Sequence, residues 1–222
     1  MKNEIGYELI EDLLFDPSDF FNQGKTYDLL NKFFKGLPVE TLIPLLTSSE
    51  IDVQKSAIWI ASELASNACI LIPYIAPLVE SKEKYIRYYA LECVMLCAKG
   101  QYISYILYLI NSINDDENMV MAHSMKLVSN TDKTQLIAGI EIINETKDKD
   151  YQLHIEGLTK LINVDNLTEK EVINMIDSNK PLIQRYGAII VEKAFKSNVG
   201  LIDYALSSSN SIVKEYITRS IT

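Results

Sequence analysis

The amino-acid sequence predicts an all-α fold: a right-handed α-α superhelix (solenoid) of about six helical hairpins behind an N-terminal helical cap. Three observations predict it. Gly and Pro number only 8 and 6 in 222 residues, so long stretches rich in Leu, Ile, Glu and Lys run without a turn former, which favours helices over an all-β chain. Next, Pro44-Leu45-Leu46-Thr47-Ser48, Val53-Gln54, Ala57 and Leu64 recur as Pro77-Leu78-Val79-Glu80-Ser81, Ile86-Arg87, Ala90 and Cys97, each pair 33 residues apart. A fixed offset over proline, apolar and small positions together marks internal repetition. Finally, the step continues: the anchors Leu46, Val79, Ile110, Ile143, Ile176 and Leu206 follow one another at 33, 31, 33, 33 and 30 residues.

The cap comprises residues 1–37. Ile5, Leu9, Leu13 and Leu14 recur at helical spacing with acids opposite, so residues 2–15 read as an amphipathic helix ending before Pro17. Residues 25–35 read as a second, with Tyr27, Leu30, Phe33 and Phe34 as its apolar side and Gly36-Leu37-Pro38 as its stop. An acidic, atypical pair suits the exposed end of an array. Six units follow, at about 38–68, 69–100, 101–130, 131–164, 165–197 and 198–222, together one solenoid domain. In each, a polar turn follows the anchor and a second helix opens with Val53, Ile86, Met119, Leu153, Ile183 or Val213. Five second helices then carry a small residue, Ala57, Ala90, Ala122, Gly157 or Gly187, with Ile217 in the sixth. Antiparallel helices need a small side chain where they approach most closely, and a lone hairpin keeps apolar flanks that only stacking removes from water. Contacts between neighbouring units should therefore dominate. Ser49 with Asp52 and Thr168 with Glu171 have capping-box spacing, and Pro181 suits a first helical turn.

The strings Leu-Ile-Pro-Leu-Leu (42–46), Asp52-Val53-Gln54 and Ala57, echoed by Ile75-Ala76-Pro77-Leu78-Val79, Tyr85-Ile86-Arg87 and Ala90, resemble short HEAT repeats of the armadillo type over residues 38–222. That family's Val-Arg pair is clear at Ile86-Arg87 and weaker at Val213-Lys214. The Trp, Leu-Gly and Tyr signature of tetratricopeptide repeats and the Thr-Pro-Leu-His of ankyrin repeats do not appear. The resemblance implies second helices lining a concave face that takes a partner.

A net charge of −9 weighs against nucleic acid and suits a basic protein partner. The run 68–79 is broken by Pro73 and Pro77 and is short of the roughly 20 residues that span a bilayer, and the N-terminus lacks a basic-then-apolar signal pattern. Cys69, Cys93 and Cys97 form no evident disulfide framework, so a reducing cytoplasm is the expected location; Cys93 and Cys97, on one helix face at i, i+4, read as buried small hydrophobes.

With Val53, Ala57, Ile60, Ala61 and Leu64 turned inward, Lys55, Ser56, Trp59 and Glu63 turn outward. The corresponding outward column is Ser56, Tyr89, Met121, Glu156, Tyr186 and Tyr216. With Tyr88, Glu92 and Arg185 it has the aromatic, Met and Arg composition of a binding surface; the alternative is that these side chains pack between successive helices with only polar tips in water. The candidate partner-binding residues are thus Lys55, Trp59, Glu63, Tyr88, Tyr89, Glu92, Met121, Glu156, Arg185, Tyr186 and Tyr216.

No catalytic, metal or cofactor set emerges. His123 and His154 lie on separate units without paired ligands, and the turn clusters 114–118 and 148–150 lack the ligand order of a calcium loop. Trp59 and Glu63 share a face at i, i+4, and HEAT-like alkylpurine DNA glycosylases, which resemble the chain in length and repeat number, use Trp and Asp on their concave face. Here Glu replaces Asp, and few bases are at hand to grip phosphates. The expected function is a non-catalytic, monomeric protein-binding module without cofactor or membrane association. By analogy of fold and charge it is a bacterial immunity protein neutralising a basic toxin; the alternatives are a general adaptor or scaffold and the glycosylase.

Overall fold

The computed structural model describes residues 4–146 and 151–221, and all regular structure among them is helical. The acidic cluster 148–150 lies outside them. The contacts divide the chain into two compact units, Met1–Cys97 and Ala98–Thr222.

The first unit opens with α1 (Glu4–Phe15), α2 (Pro17–Asn22) and α3 (Lys25–Phe34). Pro17 stops α1, as its spacing predicts, but it also starts α2 from the first helical position, where its missing N–H costs nothing. Asp16 caps that helix by accepting from the Asp19 N–H at 3.0 Å. In α3 the buried face is Thr26, Leu29, Leu30 and Phe33. Tyr27 and Phe34, expected on the apolar side, are 64% and 59% exposed.

The first helix of each following hairpin is broken. Residues 39–42 form a 3₁₀ turn before α4 (Ile43–Leu46), and 65–71 and 76–80 form 3₁₀ segments either side of α6 (Ile72–Ile75). Pro44, Pro73 and Pro77 explain the interruption, because each removes a donor from the i→i−4 ladder. The second helices are regular. α5 (Ile51–Glu63) buries Val53, Ala57, Ile60 and Ala61 against α7 (Lys84–Cys97), which buries Ile86, Ala90 and Val94.

One turn device recurs. The Ser48, Ser81, Ser178 and Ser208 hydroxyls accept from the N–H two residues on at 3.1–3.3 Å. Gln54, Arg87 and Gln184, each one residue past the opening apolar position, then donate back to the carbonyls of Leu46, Ser81 and Ile176 at 3.1, 2.8 and 3.1 Å. These bonds satisfy carbonyls that a helix end leaves open. The Thr168–Glu171 capping box forms and Pro181 takes the first turn of its helix. The Ser49–Asp52 box does not: Glu50 is the N-cap, without a side-chain bond.

The cysteines depart from expectation. Cys69 and Cys97 form a disulfide that ties the 65–71 segment to the end of α7, and only Cys93 is free and buried. The two side chains lie 28 residues apart in sequence but meet because α6 returns the chain along α7. The disulfide removes the cysteine argument for a reducing compartment.

In the second unit α8 (Ile106–Asn111), α10 (Lys133–Thr146), α12 (Glu169–Ile176) and α14 (Val199–Leu206) alternate with α9 (Asn118–Asn130), α11 (Gln152–Ile162), α13 (Pro181–Ala194) and α15 (Ser211–Ile221). Helix α13 is the hub and packs against α9, α11, α12 and α15. Contacts between successive hairpins are thus joined by a longer one, from α9 to α13. Lys126 donates to the Glu192 carboxylate and Lys193 to the Ser129 carbonyl across that junction. The hairpins of this unit therefore close on themselves.

Candidate functional site

The closure of α9 on α13 decides which predicted residues can meet a partner. Met121 is 6%, Tyr186 0% and Tyr216 2% exposed, so three of the four second-unit members of the outward column are covered by their own chain. The physical reason is visible for the two tyrosines. Gly157 leaves the space that Tyr186 fills: a Cβ there would sit 2.1 Å from Tyr186 Cδ2. The Tyr186 hydroxyl meets His154 Nδ1 at 3.0 Å. The Tyr216 hydroxyl donates to the Glu192 carboxylate, which also holds Lys126. Burial pushes both phenols far above their ordinary range. Ser56, placed outward by periodicity, is also buried.

Arg185 is half-buried and holds its own chain, with Nη1 donating to the Ile113 carbonyl at 3.1 Å and to Asn114 Oδ1. That bond turns the Asn114 amide toward His154 Nε2, 3.4 Å away. Nε2 then accepts, which keeps the imidazole neutral. Burial first, and Arg185 second, lower His154 to about 4. Glu156 stays exposed and pairs with Lys180 at 3.7 Å.

The first unit is different. Trp59, Tyr89 and Lys55 from α5 and α7 line one cleft with Phe21, Thr26, Tyr27, Asp52 and Tyr85, enclosing about 580 Å³. That volume falls in the range of sites that take small molecules or side chains. Helices α2 and α3 form one wall by packing on α5. The Tyr27 and Trp59 rings meet at 68° with centroids 4.8 Å apart, and Tyr88 and Tyr89 meet at 80° and 5.4 Å. Phe21, Tyr27 and Tyr85 are 68%, 64% and 49% exposed. Such a group of wet aromatic rings is uncommon on a surface without a binding role.

Acidic groups surround it. Lys55 lies between Asp52 at 3.4 Å and Glu83 at 3.7 Å. Burial, then Glu92 and Glu63, raise the Tyr89 phenol, with smaller effects of Tyr27 and Tyr85, so these groups gather around one ring. Burial, then Glu63, also raise the Glu92 carboxyl. Lys55, Trp59, Glu63, Tyr88, Tyr89 and Glu92 therefore form one neighbourhood, which Met121, Glu156, Arg185, Tyr186 and Tyr216 do not join. The sequence pattern did not single out Phe21, Thr26, Tyr27, Asp52 or Tyr85 as cleft residues; an aromatic one residue before the opening Ile86 was the available signal for Tyr85.

No protein-family model matches the chain, and no curated protein matches it. Among solved structures it is similar to two engineered proteins from the Northeast Structural Genomics Consortium. One is 17% identical with a TM-score of 0.42, over 82% of this chain and 94% of that one. The other is 15% identical with a TM-score of 0.42, over 82% of this chain and 57% of that one. The helical hairpins packed together fit a helical repeat protein.

Proposed function

We propose that the protein is a non-catalytic binding module of the short HEAT type, and that a basic protein partner docks in the aromatic cleft of residues 17–89. The observation that carries this reading is the cleft itself: five aromatic side chains around about 580 Å³, in a unit with fourteen Asp and Glu against eight Lys and Arg over residues 1–97. Aromatic anchors supply contact area at low entropic cost, and a surrounding negative field speeds the approach of a basic protein. The narrower form of the reading is a bacterial immunity protein whose partner is a basic toxin; it rests on the acidity and on analogy of fold.

The test is affinity capture from the native host with wild type, Trp59→Ala and Glu156→Ala proteins. One stoichiometric basic protein, lost with Trp59→Ala and kept with Glu156→Ala, is the expected result. Equal capture by all three would sink the cleft as the site. Release of alkylated purines from DNA by wild type, abolished by Trp59→Ala, would replace the binding reading with a glycosylase.

A further inference from the structure

Charge within the cleft is cancelled, and charge beside it is not. We propose that the cleft receives a neutral aromatic side chain of the partner, entering beside Tyr27 and Trp59, and that basic residues flanking this anchor lie over the acidic rim at α2. This deepens the reading of the cleft as a protein-binding site and rests on it.

Three observations carry it. Of the residues that line the cleft, only Asp52 and Lys55 are charged, and they pair with each other at 3.4 Å. A cation entering would meet the Lys55 ammonium and an anion the Asp52 carboxylate, and either would give up its hydration on the way in. A neutral anchor meets neither cost. Secondly, five of the twelve lining side chains are aromatic, and Tyr27 and Trp59 already meet edge to face at 68° with centroids 4.8 Å apart. A further ring extends that arrangement by an edge or a face, a gain beyond simple burial that an aliphatic side chain lacks. Phe21 and Tyr27, 68% and 64% exposed, leave ring surface free for it. Thirdly, α2 gives Pro17, Ser18, Phe21 and Asn22 to the cleft, and exposed Asp16 and Asp19 stand in the same stretch. Among the described residues their carboxylates bond only neutral groups, the Asp19 N–H and the Gln23 amide, so their charge faces water. They belong to a unit with fourteen acidic against eight basic residues, and Lys or Arg on either side of the anchor would meet a complementary surface there.

Trp59 is the single tryptophan in the chain, so its emission reports on the cleft when the peptide carries no tryptophan. Acetylated Lys-Lys-Phe-Lys-Lys amide is titrated against wild type. Peptides with Leu, Arg or Ala at the centre, and one with Phe between Glu-Glu flanks, are run in parallel. The Lys-flanked Phe peptide is expected to give a saturable change in Trp59 emission, with the Leu peptide about threefold weaker. The Arg, Ala and Glu-flanked peptides are each expected to be about tenfold weaker or more. An Asp16→Asn/Asp19→Asn protein, checked by circular dichroism for retained helix, is expected to bind the Lys-flanked Phe peptide about threefold more weakly and a Gln-flanked Phe peptide as wild type does. Leu, Arg or Ala binding as tightly as Phe, Glu flanks equal to Lys flanks, an unchanged affinity in the double variant, or no saturable change at all would each overturn the proposal. A basic partner released by Trp59→Ala, found with a Phe peptide that leaves Trp59 unmoved, would sink the aromatic anchor and spare the cleft.

Discussion

Gly157→Ala separates local helix preference from the packing described above, because the two predict opposite signs. Gly157 lies inside α11, where replacing glycine by alanine stabilises a helix by about 1 kcal/mol. Here the new Cβ would meet Tyr186 Cδ2, Cγ and Cε2 at 2.1, 2.3 and 2.5 Å. Tyr186 is wholly buried and its hydroxyl is held by His154, so the ring can move only by disturbing the α11–α13 junction. Overpacking of this kind costs about 1–3 kcal/mol, and a strained or lost hydroxyl bond adds about 1 kcal/mol. After the propensity gain the net destabilisation is about 1–3 kcal/mol, which for a chain of this length lowers Tm by roughly 2–12 °C. Urea unfolding followed by far-ultraviolet circular dichroism measures it. In a Tyr186→Ala background the same exchange is expected to become neutral or stabilising, a coupling of about 2 kcal/mol or more. A Gly157→Ala protein more stable than wild type would refute the placement of Tyr186.

Acid should weaken the second unit through His154, lowered from 6.5 to about 4. Between those values the unfolded chain binds the extra proton, so stability is full above about pH 6.5 and lost as pH falls toward 4, by about 3 kcal/mol; burial lowers His123 to about 4 as well, so His154→Asn should roughly halve the slope of urea midpoints across that window, and an unchanged slope would contradict it. Reducing Cys69–Cys97, 28 residues apart, should cost about 3.5 kcal/mol by loop entropy; Trp59 fluorescence in urea with and without dithiothreitol reads this, and coincident curves would count against the bond. Lys126→Met strips buried Glu192 of its ion-pair partner and should cost about 3 kcal/mol, whereas Lys126→Met/Glu192→Met should recover most of it. A double variant as unstable as the single one would show that the pair does not join α9 to α13.

The positions of the second helices were legible because they depend on local pattern. Val53, Ala57, Ile60, Ala61 and Leu64 are all buried as their spacing predicts, and a Cβ added at Gly187 would sit only 3.1–3.3 Å from Met175 and Ile176 of α12, the close approach its size implies. Whether an outward residue is wet was not legible. Tyr89 and Tyr186 occupy the same place in their repeats, yet Tyr89 is partly exposed and Tyr186 is sealed. The difference is made by α11, where Gly157 leaves the room that the Tyr186 ring fills and His154 takes its hydroxyl, and the periodicity of α13 alone does not encode that. Helix phase misled in α3, where aromatics lie on both sides: Thr26 packs inward and Tyr27 faces the cleft. The path of residues 65–80 through Pro73 and Pro77 likewise hid the meeting of Cys69 with Cys97.

The central claim is that a basic protein docks in the first-unit cleft while the corresponding face of the second unit is closed. Photocrosslinking tests it most directly, with p-benzoylphenylalanine placed at Phe21, exposed on the cleft wall, or at Glu156, exposed on α11. The account predicts that the partner captured by wild type crosslinks in good yield from position 21 and not from position 156. Crosslinking from position 156 alone would place the partner on the second unit and contradict the account.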